Sequence, residues 1–168
     1  MPRLISHELP DDLYMRLTGR EVGKYLNHAV LLYTVDTSGW PHPSLLSYFE
    51  IAARDRKNQR LATYNNSNTS ENMLRNSIVT LSIFDLRVAY AIKGRAHEIR
   101  REMLSAPRNS MLNVDVEQVL VDEADPVLEP GAYVASGITY VSPDLGPERT
   151  WRNDILRELM EEPECSAR

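Results

Sequence analysis

The chain is poor in cysteine, in lysine and in long apolar runs. Its one cysteine, Cys165, cannot close a disulfide within the chain, so the fold has to rest on packing. No basic or histidine cluster surrounds that thiol, which reads as incidental rather than catalytic. No run reaches the roughly 18–20 apolar residues of a membrane-spanning helix. The opening Met1–Glu8 lacks the apolar core of a secretory signal. These absences lead to the expectation of a cytoplasmic protein with no membrane partner. Lysine occurs at only three positions, Lys24, Lys57 and Lys93, and the net charge is -5. A nucleic-acid partner is not expected, because it calls for a basic face.

The signatures of several enzyme classes are also missing. There is no glycine-rich phosphate loop, no paired-histidine helix motif and no cysteine pair for zinc. No serine stands in a nucleophile-elbow context. The four histidines, His7, His28, His42 and His97, are scattered, and no metal site is expected. His42 stands out because it lies in a hairpin beside a candidate site; for the others a structural role is the simpler reading.

What is present fits one soluble domain. The length of 168 residues, with 42% hydrophobic and 26% charged residues, suits a single packed core. The expected layout is a helical segment over residues 1–27, a β-rich body over 28–141 and a C-terminal helix over 147–162. Pro10-Asp11-Asp12 suits a first helical turn, and Leu13 and Leu17 share a face. Gly19 ends that helix, and Arg20 to Leu26 forms a second short one.

His28–Asp36 is apolar and rich in strand formers. Thr37-Ser38-Gly39-Trp40-Pro41 is turn chemistry, and Pro43–Ile51 returns as the second arm of a hairpin. Arg60–Tyr64 reads as a third strand. A helix begins inside the polar run Asn65–Asn72, with Thr69 or Ser70 as its cap. Further strands are expected at Ile78–Phe84, Val88–Ile99, Leu112–Glu117 and Ala132–Val141, the last interrupted at Ser136-Gly137. Val119–Ala124 is ambiguous between strand end and helix. Trp151, Ile155 and Leu159 fall four apart on the final helix. The fold class is therefore mainly β: a barrel of about six to eight mostly antiparallel strands with peripheral helices.

The polar run Ser67–Asn72 follows a strand and opens a helix. Free N–H groups and the positive dipole end make such a turn suited to anions. Simple capping of the helix explains the same residues without a ligand.

Three segments in order resemble the flavin-binding split β-barrel family related to pyridoxamine 5′-phosphate oxidase. They are the hairpin Leu32–Asp36 with Gly39-Trp40-Pro41-His42-Pro43-Ser44, the run Leu61-Ala62-Thr63-Tyr64 with Ser67-Asn68-Thr69 and Asn72–Asn76, and Ile92-Lys93-Gly94-Arg95-Ala96. The resemblance implies a homodimer with two FMN molecules in grooves between subunits, acting on a small-molecule substrate. It implies that Ser44, Leu45, Leu46 and Ser47 line the flavin ring and that Ala62 and Thr63 pass beside the ring or ribityl chain. It places Ser67, Asn68 and Thr69 at the phosphate, with Asn72 nearby.

The sequence departs from the oxidase pattern. Asn68 and Thr69 stand where the oxidase has Arg and Lys. The second strand offers Ser44 and Phe49 or Glu50 where the oxidase has a basic residue at each end. Arg149 and Arg152 lie near Trp151, but no family motif surrounds them. Within the same fold, deazaflavin or haem is an alternative cofactor, haem needing an axial ligand such as His28 or His97. A third reading is a non-catalytic small-ligand binder or structural dimer that has lost flavin. No catalytic acid or base is identified; His42 and Tyr64 are the nearest candidates, and Tyr64 reads first as a packing residue. The apolar residues at Val114–Val116 and Tyr133–Val141 are expected to need cover from a second copy.

Overall fold

A computed structural model describes residues 1–142 and 150–161. Cys165, Arg149 and both ends of the expected 147–162 helix lie outside the described residues.

The first hairpin sets the pattern. β2 (His28–Val35) and β3 (Pro41–Ser47) pair antiparallel from Ala29↔Ser47 to Val35↔Pro41. The turn is fixed by Asp36, whose carboxylate accepts from the Ser38 and Trp40 backbone N–H groups at 2.8 and 2.9 Å. Gly39 takes φ +84, a left-handed conformation that side chains disfavour. β3 is an edge strand, and that is why Pro41 and Pro43 are tolerated: neither costs a central ladder bond.

The strand expected to run on to Ile51 stops early. Tyr48–Glu50 is a 3₁₀ turn, and a separate β4 (Ile51–Ala53) follows. The turn forms because Ser47 and Glu50 cap each other. Tyr48 is anchored from behind: Arg16 Nε donates to its hydroxyl at 2.9 Å, and Tyr25 stacks on it with centroids 4.7 Å apart. Arg16 also pairs with Asp85. Burial pushes the Tyr48 phenol up to about 12, so it remains a neutral partner for Arg16.

β5 (Asn58–Tyr64), β6 (Ile78–Asp85), β7 (Val88–Arg100) and β8 (Asn109–Asp122) complete a curled sheet in the order β3-β2-β6-β7-β8-β5-β4. The neighbouring pairs are antiparallel. This is a split β-barrel with flanking helices, as the sequence implies. Val119–Asp122 is strand, which resolves the ambiguity there.

β1 (Arg3–Ser6) pairs with β8 and was not expected; it is mostly exposed and carries no alternating pattern. Ala132–Val141 is corrected: only β9 (Ile138–Thr139) is strand, pairing with β2. The approach to it is fixed at Gly137, where an added Cβ would sit 2.6 Å from the Phe84 carbonyl oxygen.

Two cores divide at β5. Leu61 packs inside the barrel with Leu32, Leu81, Ile92, Leu112 and Val114, closed by Leu13 and Leu17 of α1 (Asp11–Leu17). Ala62 faces the other way, into a cluster with Phe49, Met111, Ile155 and Leu159. β5 is thus covered on both faces, so its residues read as a continuous buried run rather than an alternation. Val114 and Val116 are buried within the chain; a second copy is not needed to cover them.

The helical cover on the second cluster is α3 (Trp151–Met160). Arg60 Nη1 donates to the Leu159 carbonyl at 3.1 Å. Glu158 accepts from Arg100 (2.6 Å), from the Leu104 and Ser105 backbones (2.9 and 2.7 Å) and from the Ser105 hydroxyl (2.6 Å). Of the predicted stripe, Ile155 and Leu159 are buried, whereas Trp151 is 42% exposed.

Candidate functional site

Those anchors leave a cavity of about 520 Å³ between β3, the 3₁₀ turn, the end of β5, Tyr140 and the first turn of α3. Its β3 wall is Pro43, Ser44, Leu45, Leu46 and Ser47. Four of the ten residues expected at a cofactor, Ser44 to Ser47, therefore lie together on one wall. As the edge strand, β3 turns alternate backbone polar groups away from the sheet, free to read a ligand.

Ser47 gives both its backbone N–H and its hydroxyl to Glu50 Oε2, at 2.7 and 2.8 Å. With its proton so engaged and one lone pair facing the Glu50 backbone N–H in the capping box, Ser47 Oγ keeps one lone pair for a further partner. Glu50 lines the same cavity. Burial pushes its carboxyl above the ordinary carboxylate range, outweighing the Ser47 bonds and the Arg152 charge that pull it down.

The other six expected residues lie apart from the cavity lining. Ala62 is buried under α3. Thr63 shares a 2.7 Å hydroxyl bond with Ser70, and Ser70 donates to the Tyr64 carbonyl at 2.7 Å. Ser67, Asn68, Thr69 and Asn72 belong to the start of α2 (Asn68–Asn76). The cap is Ser67, not Thr69 or Ser70: its side chain accepts from the Ser70 backbone N–H at 3.2 Å. Asn68 is exposed in the first turn, while Thr69 and Asn72 are buried. Asn72 donates to Thr34 Oγ1 and accepts from Arg75. The two groups of residues meet through Tyr64, which lines the cavity and ends β5 just before Ser67. Tyr64 is 66% exposed, so its reading as a packing residue is corrected.

Sequence reasoning missed several groups. Arg101, on the β7–β8 connection, donates to Asn66 at 3.3 Å and brings a cation beside the β5–α2 turn. No spacing could signal this, since 35 residues separate the pair. Arg152 and Trp151 line the cavity from α3; the signal was an aromatic–arginine pair opening an amphipathic helix. No histidine is among the lining residues. His42 is on β3, and His97 faces Asp115 at 3.4 Å on the barrel surface. Among the described residues no cluster of three or more His, Cys, Asp or Glu could hold a metal ion. No helix among them is long and apolar enough to cross a membrane.

The family model for pyridoxamine 5′-phosphate oxidase matches residues 25–135, from just before β2 to the approach to β9. The Bacillus subtilis (strain 168) protein YclD, of uncharacterised function, is 33% identical over 85 residues, 51% of this chain. That match spans 55% of the relative's length. Two solved structures share the fold. A candidate pyridoxamine 5′-phosphate oxidase of Lactobacillus delbrueckii superposes with TM-score 0.52 at 19% identity, over 71% of this chain and 98% of that one. HupZ of Group A Streptococcus gives 0.52 at 12% identity, over 77% and 99%.

Proposed function

Because the chain belongs to the pyridoxamine 5′-phosphate oxidase family, we propose that it is an FMN-dependent oxidoreductase acting on a small molecule in the cavity against β3. The supporting observation is an overlap. The four residues that the resemblance sets beside the flavin ring belong, with Pro43, to the β3 wall of a cavity of about 520 Å³, a size typical of cofactor pockets.

The residues present fit such a group. The outward backbone groups of β3 and the acceptor face of Ser47 suit the polar edge of a flavin ring. Leu45, Phe49 and Ile155 supply apolar lining. The phosphate would be held by the first turn of α2, where Ser67, Asn68 and Thr69 stand, with Arg101 next to Asn66. Helix dipole and N–H donors there replace part of the missing local cations. Bound FMN supplies hydride or electron transfer, and the protein supplies binding and orientation. Tyr140 and Trp151, both partly exposed at the cavity, would shield the reacting face from water in the assembled dimer.

The test is the visible spectrum of the purified protein, alone and after adding FMN. Flavin bands that stay with the protein on gel filtration are expected. A Soret band would replace FMN with haem, for which the cavity lining offers no histidine. A colourless protein that does not retain added FMN would overturn the reading and favour the non-catalytic binder.

A further inference from the structure

Arg152 lies outside the family-matched segment, on α3, which this chain lays over the cavity. Its guanidinium is only partly used. Nη2 reaches the Ser142 hydroxyl at 3.5 Å, the outer limit of a hydrogen bond. Nε and Nη1 are shielded from water and have no hydrogen-bond partner among the described residues. Shielded charged donors without an acceptor are rare and costly, and such an orphan in a cavity wall points to a missing acceptor.

The acid among the described lining residues does not fill that role. Glu50 lines the same cavity, but it spends Oε2 on Ser47, and no hydrogen bond or ion pair joins it to Arg152. Among the described residues the rest of the lining is uncharged: hydroxyls on β3, apolar Leu45, Phe49 and Ile155, and the rings of Tyr64, Tyr140 and Trp151. These three rings keep 66%, 47% and 42% of their surface exposed. The Arg152 guanidinium carbon lies 5.1 Å from the Trp151 ring centre, so cation and aromatic surface form one unit.

We propose that Trp151 and Arg152 make the cavity a site for a small planar carboxylic acid. Arg152 takes the carboxylate end-on through Nη1 and the loosely held Nη2, the paired-donor geometry that suits carboxylates, and the exposed rings pack on the planar body. This deepens the flavin reading by giving its substrate class. It rests on that reading for the reaction, though not for binding of the acid.

The test uses the full chain carrying Trp40→Phe. Trp40, 70% exposed in the β2–β3 turn, is the other indole of two, so Trp151 fluorescence then reports alone. Benzoate and its neutral isostere benzamide are titrated with and without FMN, and again after Arg152→Gln and Arg152→Lys. Saturable benzoate binding is expected, tighter than benzamide by about tenfold or more. Arg152→Gln removes the preference; Arg152→Lys keeps part of it. Equal affinity for the two ligands, no saturable response to either, or benzoate binding unchanged in Arg152→Gln each overturns the proposal. If Arg152→Gln does not fold by circular dichroism, the benzoate–benzamide comparison and Arg152→Lys still decide. The arms separate the two readings. Charge-selective benzoate binding without FMN retention sinks the cofactor and keeps the acid site; FMN retention without charge selectivity does the reverse.

Discussion

Asn72 donates its side-chain amide to the Thr34 hydroxyl across 3.0 Å, and both side chains are buried. The bond ties α2 to β2. The Asn72 carbonyl oxygen is in turn occupied by Arg75, which also reaches the Val35 carbonyl at 2.6 Å. A residue expected near a phosphate is therefore part of the frame that sets α2 against the sheet. Asn72→Ala should cost about 1–3 kcal/mol by stranding buried polar groups, seen as a lower denaturant midpoint. FMN affinity should change less than about threefold once the protein is folded. A large affinity loss without a stability loss would put Asn72 at the ligand.

Asn68 offers the opposite case. It is exposed in the first turn of α2, where an acidic side chain is favoured by the helix dipole. Asn68→Asp should leave the unfolding midpoint unchanged or slightly raised, while FMN affinity falls about tenfold from repulsion at the phosphate. The isolated comparison is with riboflavin, which lacks the phosphate and should bind both proteins equally. The paired change Ser67→Asp with Thr69→Asp should abolish FMN binding, although buried Thr69 makes it a harsher test of folding.

Glu158 makes α3 pH-sensitive. Its carboxyl is held below the ordinary range: bonds from Ser105, Leu104 and Arg100 outweigh the burial that alone would raise it. A depressed carboxyl binds fewer protons in the folded state than in the unfolded one, so its stabilisation is fully present above the ordinary value of 4.5 and is lost as pH falls through the lower folded value. Trp151 fluorescence should therefore report release of α3 only below about pH 4.5. Glu158→Gln should weaken α3 docking already at about pH 7, by about 1–3 kcal/mol, and flatten that acid transition.

We predict a homodimer from the proposed site and from the exposed Tyr133 and Val141, whereas Val114 and Val116 are already covered. Leu45, Tyr64, Tyr140 and Trp151 are exposed around the cavity, and a second copy laid there would close it. Sedimentation at micromolar concentration should give a dimer, and Leu45→Glu should shift it toward monomer and weaken FMN binding together. A stable monomer that binds FMN with unchanged affinity would contradict the shared site.

The long strands and α2 were legible because their patterns are local. β2 carries an apolar run, β6 alternates apolar Val79, Leu81 and Ile83 with Thr80 and Ser82, and Ser67–Thr69 announces a helix start. Gly94 was legible as a motif, and the structure gives its reason: an added Cβ would lie 2.3 Å from the Asp115 carbonyl oxygen, beside the register shift between β7 and β8. The break after Ser47 was not legible, because Tyr48 and Phe49 suit a strand; the Ser47–Glu50 cap and the distant Arg16 override that preference. The α3 side of the site was hidden for the same reason. Arg152 meets Ser44–Ser47 only through tertiary folding, and a Trp at a core-facing helical spacing reads as core until the cavity is seen.

One titration tests the flavin site on β3 most directly. FMN added to the purified chain should lose its fluorescence saturably, at one FMN per chain, and Leu45→Glu at the cavity rim should weaken the binding at least about tenfold. Unquenched FMN at every protein concentration, or quenching indifferent to Leu45→Glu, would contradict a flavin site there.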